Sequence, residues 1–261
     1  MNIDLSHARQ QFESYLDQYD RTDDKVRLKI IHTYGVMECS RRICERMHLS
    51  EEDTILAHLI GLLHDIGRFE QLKKYNSFEP DTMDHAAFGV QILFEEGRIR
   101  DYVAETDWDS IIRTAIARHS DFKLEGVTDE RELLHARLIR DADKLDNCRV
   151  KLEDSIETIL GVSAEEVGSS DITPEVMAQF INHQSIYSPT RKTKMDYWLS
   201  YLAYYYDINY EETLEIIQEH HYVERQIARI PYDNPTTAAQ MQEIKKILQD
   251  YFCARINTRK K

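Results

Sequence analysis

The stretch from Ile55 to Arg68, ILAHLIGLLHDIGR, constrains this chain more than any other. Ile55, Leu56, Leu59, Ile60, Leu62 and Leu63 are apolar nearly all round a helix, which predicts a central, buried helix rather than one lying on a surface. His64 and Asp65 arrive at its buried end. Gly67 is expected to stop the helix, because glycine takes the left-handed conformation at little steric cost. A polar pair delivered into a core has to be satisfied there, by hydrogen bonds or by a metal ion.

Composition sets the frame around that helix. With 42% hydrophobic content, 261 residues can bury one good core, and the expectation is a single domain over residues 1–261. No run of about 18 apolar residues occurs, and the N-terminal MNIDLSHARQQ lacks the basic-then-apolar layout of a signal peptide. A cytoplasmic protein is expected. Cys39, Cys44, Cys148 and Cys253 show neither paired metal-ligand spacing nor a disulfide framework, and read as small buried hydrophobes. A formal charge of −14 argues against non-specific binding to nucleic acid or to an anionic membrane, since both need a basic surface. A basic pocket inside an acidic protein stays open.

Taken in order, the chain reads as helix after helix. Residues near 6–20 make an amphipathic opener, and Asp23 and Asp24 cap a long segment from Lys25 to Met47 that carries His32. Ser50 with Asp53 has capping-box spacing and starts the central helix. From Glu70 to Asp84 the pattern dissolves into a polar loop with Asn76, Ser77 and Pro80, and periodicity resumes from His85 to Gly97. Thr106 with Asp109 opens a helix ending at His119, and Glu130–Leu152 carries a buried stripe. Further on, Thr173-Pro174, Asn209 with Glu212, and Asn234-Pro235 are helix starts, with irregular structure expected at Gly161–Asp171 and Tyr187–Lys194. No segment alternates with period two, so the fold class is all-α.

His32, His64, Asp65 and Asp143 spell H…HD…D. With LLHDIG preceded by a helical histidine and followed by RDADKLD, this set resembles the HD-domain superfamily of metal-dependent phosphohydrolases, over roughly Lys25 to Leu152. The resemblance implies an all-helical bundle whose metal-binding core covers about 25–152, with a helical extension, 153–261, packed on it. A longer form of the family pattern places two more histidines before the last aspartate, and His85 in MDHAAFGV and His119 in IARHSD match them. It follows from the resemblance that His32, His64, Asp65, His85, His119 and Asp143 supply ligands for one or two divalent transition metals, with Asp65 as the bridge. Some relatives instead use such histidines on substrate beside a single metal. Mixed nitrogen and oxygen ligation suits Mn, Fe, Co, Ni or Zn better than calcium.

Helix geometry bears on which aspartate of DADKLD is the ligand. Asp141 and Asp143 lie about 160° apart around an axis, so only one faces a given site, whereas Asp143 and Asp146 share a face. The family match selects Asp143. Similar relatives place a lysine like Lys144 on substrate phosphate, and Arg68 after HDIG is a second cation able to grip phosphate oxygens in a fork. Asp65, Arg68 and Lys144 are thus the candidate catalytic residues, against the plainer reading of Arg68 and Lys144 as salt-bridge partners. His7, His48, His58, His135, His183, His220 and His221 read as ordinary histidines; His58, six residues before His64, points about 120° away from it. Arg191, Lys192 and Lys194 read as a solvated loop, with Tyr187 and Arg191 the alternative candidates to close over a phosphate.

Three functions are compatible with this reading. The first is hydrolysis of a phosphoester or phosphoanhydride in a small, nucleotide-like phosphorylated substrate, without nucleic-acid or membrane partners. The second is a di-iron oxygenase acting on a small polyol or phosphonate, since oxygenases of the superfamily share the ligand order. The third is a metal-binding module that senses a nucleotide. No motif names a base, a sugar or a chain length, and an oligomeric state is not legible either.

Overall fold

Asp4, Asp23, Ser50 and Asp84 each turn a side-chain oxygen onto the backbone N–H groups that follow, and at each of them a helix begins. The computed structural model describes residues 3–79 and 81–256, so Pro80 lies outside the described residues. In chain order the helices are α1 (Leu5–Leu16), α2 (Asp24–Arg46), α3 (Glu51–Leu63), α4 (Ile66–Tyr75), α5 (His85–Val90), α6 (Asp109–Arg118) and α7 (Glu130–Glu153). They continue as α8 (Ile156–Leu160), α9 (Ala164–Ser169), α10 (Pro174–Ile181), α11 (Lys194–Ala203), α12 (Glu211–Glu219), α13 (Tyr222–Ala228) and α14 (Pro235–Ile256). No strand occurs among the described residues, and the fold is all-α. No helix among them is long and apolar enough to cross a membrane.

The chain divides into two compact units, residues 1–146 and 147–261, and the division falls inside α7. In the first unit α3 is the central helix: it packs along α2 and touches α1 and α6, and Leu56, Leu59, Ile60, Leu62 and Leu63 are buried. In the second, α12, α13 and α14 pack on one another around Leu214, Ile217, Ile244 and Leu248. There Asn234 accepts from the N–H groups of Thr236 and Thr237, and Pro235 takes the first helical position, as the Asn-Pro pair predicts.

Several expectations need correction. The central helix does not continue to a stop at Gly67: it closes at Leu63, and α4 begins at Ile66 after a turn made by His64 and Asp65 themselves. Gly67 is not a left-handed stop but lies within α4, where a Cβ would stand 2.3 Å from the carbonyl oxygen of His85 and 2.6 Å from the Gly89 nitrogen. Its role is to let α4 and α5 touch backbone to backbone. The segment from Glu70 is helical through Tyr75, and the loop starts only at Asn76, which takes the left-handed C-cap conformation.

Finally, α12 is preceded by Tyr210 rather than capped by Asn209, and Cys253 is exposed while Cys39, Cys44 and Cys148 are buried. The stretch Gly161–Asp171 also contains α9, opened by Ser163 accepting from the Glu166 N–H. A three-residue turn at Ser188–Thr190 interrupts the second expected loop, and a Thr193–Asp196 capping box then starts α11.

Candidate metal centre

The turn between α3 and α4 is where the site is made. His64 still donates its backbone N–H to Ile60, at 2.8 Å, as the C-cap of α3, and Asp65 follows in a non-helical conformation with φ −105° and ψ 18°. The two side chains therefore leave the backbone next to each other at the buried end of the core helix. His32 comes from α2, His85 from the first position of α5, His119 from the C-cap of α6, and Asp143 from α7. Gly67 brings α5, and His85 with it, against the start of α4.

These six side chains gather into two triads. In one, ligand atoms of His32, His64 and Asp143 all lie within 4.8 Å of one another; in the other, those of Asp65, His85 and His119 do. The carboxylate of Asp65 also faces both. Its Oδ1 is 3.3 Å from His85 Nε2 and 3.5 Å from His119 Nε2, while its Oδ2 is 3.6 Å from His64 Nε2. His64 Nε2 lies 4.0 Å from Asp143 Oδ1, and His32 Nε2 2.9 Å from that same oxygen.

The hydrogen bonds on the far side of each ring decide what the near side can do. His64 Nδ1 donates to the carbonyl of Gly61 at 2.8 Å, and His119 Nδ1 to the carbonyl of Ile116 at 2.7 Å. A carbonyl can only accept, so each of these rings, when neutral, turns a bare Nε2 lone pair inward. His64 Nε2 is buried without a hydrogen-bond partner, although two carboxylates stand within 4.0 Å. A lone pair aimed at anionic oxygens is repelled unless a cation lies between them, and imidazoles braced through Nδ1 are the ordinary form of a metal ligand. His32 is braced likewise, with Nδ1 donating to Asp146 Oδ2 at 2.7 Å. The donor set therefore fits divalent transition metals.

Charge in this pocket follows from burial and its neighbours. Burial pushes His64 down to about 4, against the attraction of Asp65 and Asp143. Burial and the Arg68 guanidinium hold His85 well below its ordinary value. Burial and Lys29 also oppose the proton on His32, but hydrogen bonds to Asp143 and Asp146 outweigh them and raise it. Asp65 stays ionised despite burial because Lys29, His64, His119 and Arg68 surround it, and Asp143 does so through His32, His64 and Lys29.

A family model, the HD domain, matches residues 30–148. Residues 30–148 are an HD domain. HD domains form a superfamily of metal-dependent phosphohydrolases that bind divalent metals, and the matched segment holds both triads. No curated protein and no solved structure matches the chain.

Of the candidate catalytic residues in the HD domain, Arg68 stands at the second triad. Its Nη2 donates to His85 Nε2 at 2.8 Å, its Nη1 bonds Gln71 and the Phe78 carbonyl, and its Nε lies 3.7 Å from Asp65 Oδ1. Lys144 follows Asp143 on α7, and its ammonium approaches the Arg140 carbonyl at 3.4 Å. Asp141 is fully buried and belongs to neither triad. His58 is also outside both, and His135 pairs with Asp53 at 3.2 Å instead. In the second unit Tyr187 is exposed and the Arg191 guanidinium lies over the ring of Tyr197.

Two residues of the centre have no role in the sequence reading. Asp146 orients His32, and its one signal was its place on the Asp143 face. Lys29 lies 2.7 Å from Asp65 Oδ2 across 36 positions of sequence, and only its spacing of three from His32 hinted at a shared face.

Proposed function

We propose that this HD domain hydrolyses a phosphoester or phosphoanhydride bond of a small nucleotide-like substrate. The observation that carries the reading is the pair of facing triads with Asp65 between them, each turning imidazole nitrogens and carboxylate oxygens toward one point. His32, His64 and Asp143 would hold one divalent metal; Asp65, His85 and His119 would hold another. Metals bound there supply a water whose pKa falls from 15.7 to about 7, and positive charge against phosphoryl oxygens.

The chain's own residues supply the rest. Gly61, Ile116 and Asp146 keep the rings of His64, His119 and His32 in the tautomer that ligates. Arg68 and Lys29 bring two cations to the carboxylate of Asp65, which suits an anionic substrate. Gln71 holds Arg68 in place: its Oε1 accepts from Nη1, while its own amide donates to the Glu79 carbonyl and to Thr82.

The test is a screen of protein loaded in turn with Mn, Co or Fe against phosphomonoesters, dinucleoside polyphosphates and cyclic nucleotides, with oxygen uptake followed in parallel. Metal-dependent phosphate release without oxygen uptake is the expected result. Oxygen consumption on a polyol or phosphonate, with no phosphate released from any ester, would overturn it in favour of an oxygenase.

A further inference from the structure

Lys29 belongs to neither triad and precedes the family match, yet its ammonium lies 2.7 Å from Oδ2 of Asp65, the carboxylate that both triads face. Only 13% of its side chain is exposed. A buried ammonium is costly without partners, and Lys29 has two: the Asp65 oxygen, and the face of Phe78 with its ring centroid 5.7 Å away. Its position on α2 explains the reach. Residues three apart on a helix differ by about 60° around the axis, so Lys29 and His32 are presented to the same centre.

The Asp65 carboxylate is thus divided. Oδ1 faces His85 and His119, and Oδ2 faces His64 and Lys29. An ammonium has three donors, and Lys29 places one of them on the Asp65 carboxylate. Lys29 therefore keeps donors for an incoming anion.

We propose that Lys29 is a resident cation of the centre: it holds Asp65 in this divided orientation, weakens divalent-metal binding at the His32–His64–Asp143 triad, and strengthens binding of a phosphoryl oxygen once metal is present. The phosphate half rests on the phosphohydrolase reading; the metal half does not. The opposite signs follow from Coulomb's law, since one fixed positive charge repels a second cation and attracts an anion in the same pocket. A residue that served only to support the fold would move both affinities the same way.

Calorimetry with Mn²⁺, and then with inorganic phosphate on the Mn²⁺-loaded protein, tests this on wild type, Lys29→Met, Lys29→Gln and Lys29→Arg. Both neutral variants are expected to bind Mn²⁺ about tenfold or more tighter. They should bind phosphate about tenfold or more weaker, with Lys29→Arg returning both toward wild type. Lys29→Gln retains a hydrogen bond to Asp65 and serves if Lys29→Met does not fold. Unchanged or weaker Mn²⁺ binding in a folded neutral variant overturns the proposal. A Mn²⁺-loaded wild type that binds no phosphate overturns the phosphohydrolase reading and the phosphate half with it, and the Mn²⁺ titration still decides the rest.

Discussion

Oδ2 of Asp146 accepts a hydrogen bond from Nδ1 of His32 at 2.7 Å, while Nε2 of the same ring meets Oδ1 of Asp143 at 2.9 Å. One turn of α7 thus carries both a candidate ligand and the brace of another candidate. Room for the brace comes from Gly35 on α2, where a Cβ would stand 2.0 Å from Asp146 Oδ1. Asp146→Ala should weaken metal binding about 10–100-fold by releasing the His32 ring. Gly35→Ala should act in the same direction without removing any charge, because it displaces the Asp146 carboxylate. Titration of both variants with Mn²⁺ checks this. Wild-type affinity in either would mean that His32 is oriented by something else.

Gly67→Ala separates the two readings of that glycine. A left-handed stop tolerates an exposed methyl at modest cost, but here the methyl would enter the contact between α4 and α5, 2.3 Å from the His85 carbonyl. Overpacking of a close contact costs about 1–3 kcal/mol, and more where backbone must move. Thermal unfolding should show that loss together with weaker metal binding at the second triad, since His85 moves with α5.

His85→Ala removes one nitrogen from the second triad and none from the first. The expected outcome, read by elemental analysis, is loss of one metal equivalent with the first retained. Unchanged stoichiometry together with weaker phosphate binding would assign His85 to substrate in a one-metal centre.

Burial holds His64 near about 4, whereas an unfolded histidine titrates near about 6.5. Between those values the unfolded chain binds a proton that the folded chain refuses. This contribution to stability is complete above about pH 6.5 and is lost as the pH falls toward about 4, at about 1.4 kcal/mol per pH unit within the window. His85, held low by burial and Arg68, acts in the same sense. His32 acts in the opposite one: its raised value stabilises the fold below about pH 6.5 and is lost as the pH rises through it. Asp65 and Asp143, held low in the folded chain, lose their contribution only as the pH falls below about 4. Denaturant unfolding of metal-free protein at pH 7 and pH 5 should therefore show a smaller loss in His64→Gln than in wild type. Equal losses would show that His64 is not the neutral ring described.

Much of the helix order was legible because caps are local. Ser50 and Asp53, three residues apart, carry the start of α3 on their own, and Asn234-Pro235 does the same for α14. Gly67 was misread because glycine looks the same in a sequence whether it serves a positive φ or a close backbone approach, and only the second needs a partner 18–22 residues away. The run from Glu70 to Tyr75 lost its pattern because Lys73 and Lys74 end α4 on exposed positions, where polarity marks a helix end and a loop alike. The metal-ligating candidates could be drawn from a family pattern. Lys29 could not, since its partner Asp65 is fixed by the tertiary packing of α2 against the end of α3.

The last expectation concerns the aspartates of DADKLD and the lysine between them. Asp143 shares an oxygen between His32 and His64 Nε2, whereas Asp141, two residues earlier, belongs to neither triad and is fully buried. Asp143→Ala removes an anionic ligand, so a divalent charge at the first triad loses its compensation, and both tight metal binding and turnover should be abolished. Asp141→Ala should keep its metal. Its penalty should appear in unfolding instead, because a fully buried carboxylate leaves its bonding partners unsatisfied when it is removed. Lys144→Ala should leave metal content intact and weaken phosphate binding, whereas a purely structural Lys144 would change only stability. Elemental analysis, phosphate titration and denaturant unfolding on the three variants read these outcomes independently. Equal metal loss in the Asp141 and Asp143 variants would contradict the orientation of α7 that puts Asp143 and Asp146 on one face toward His32.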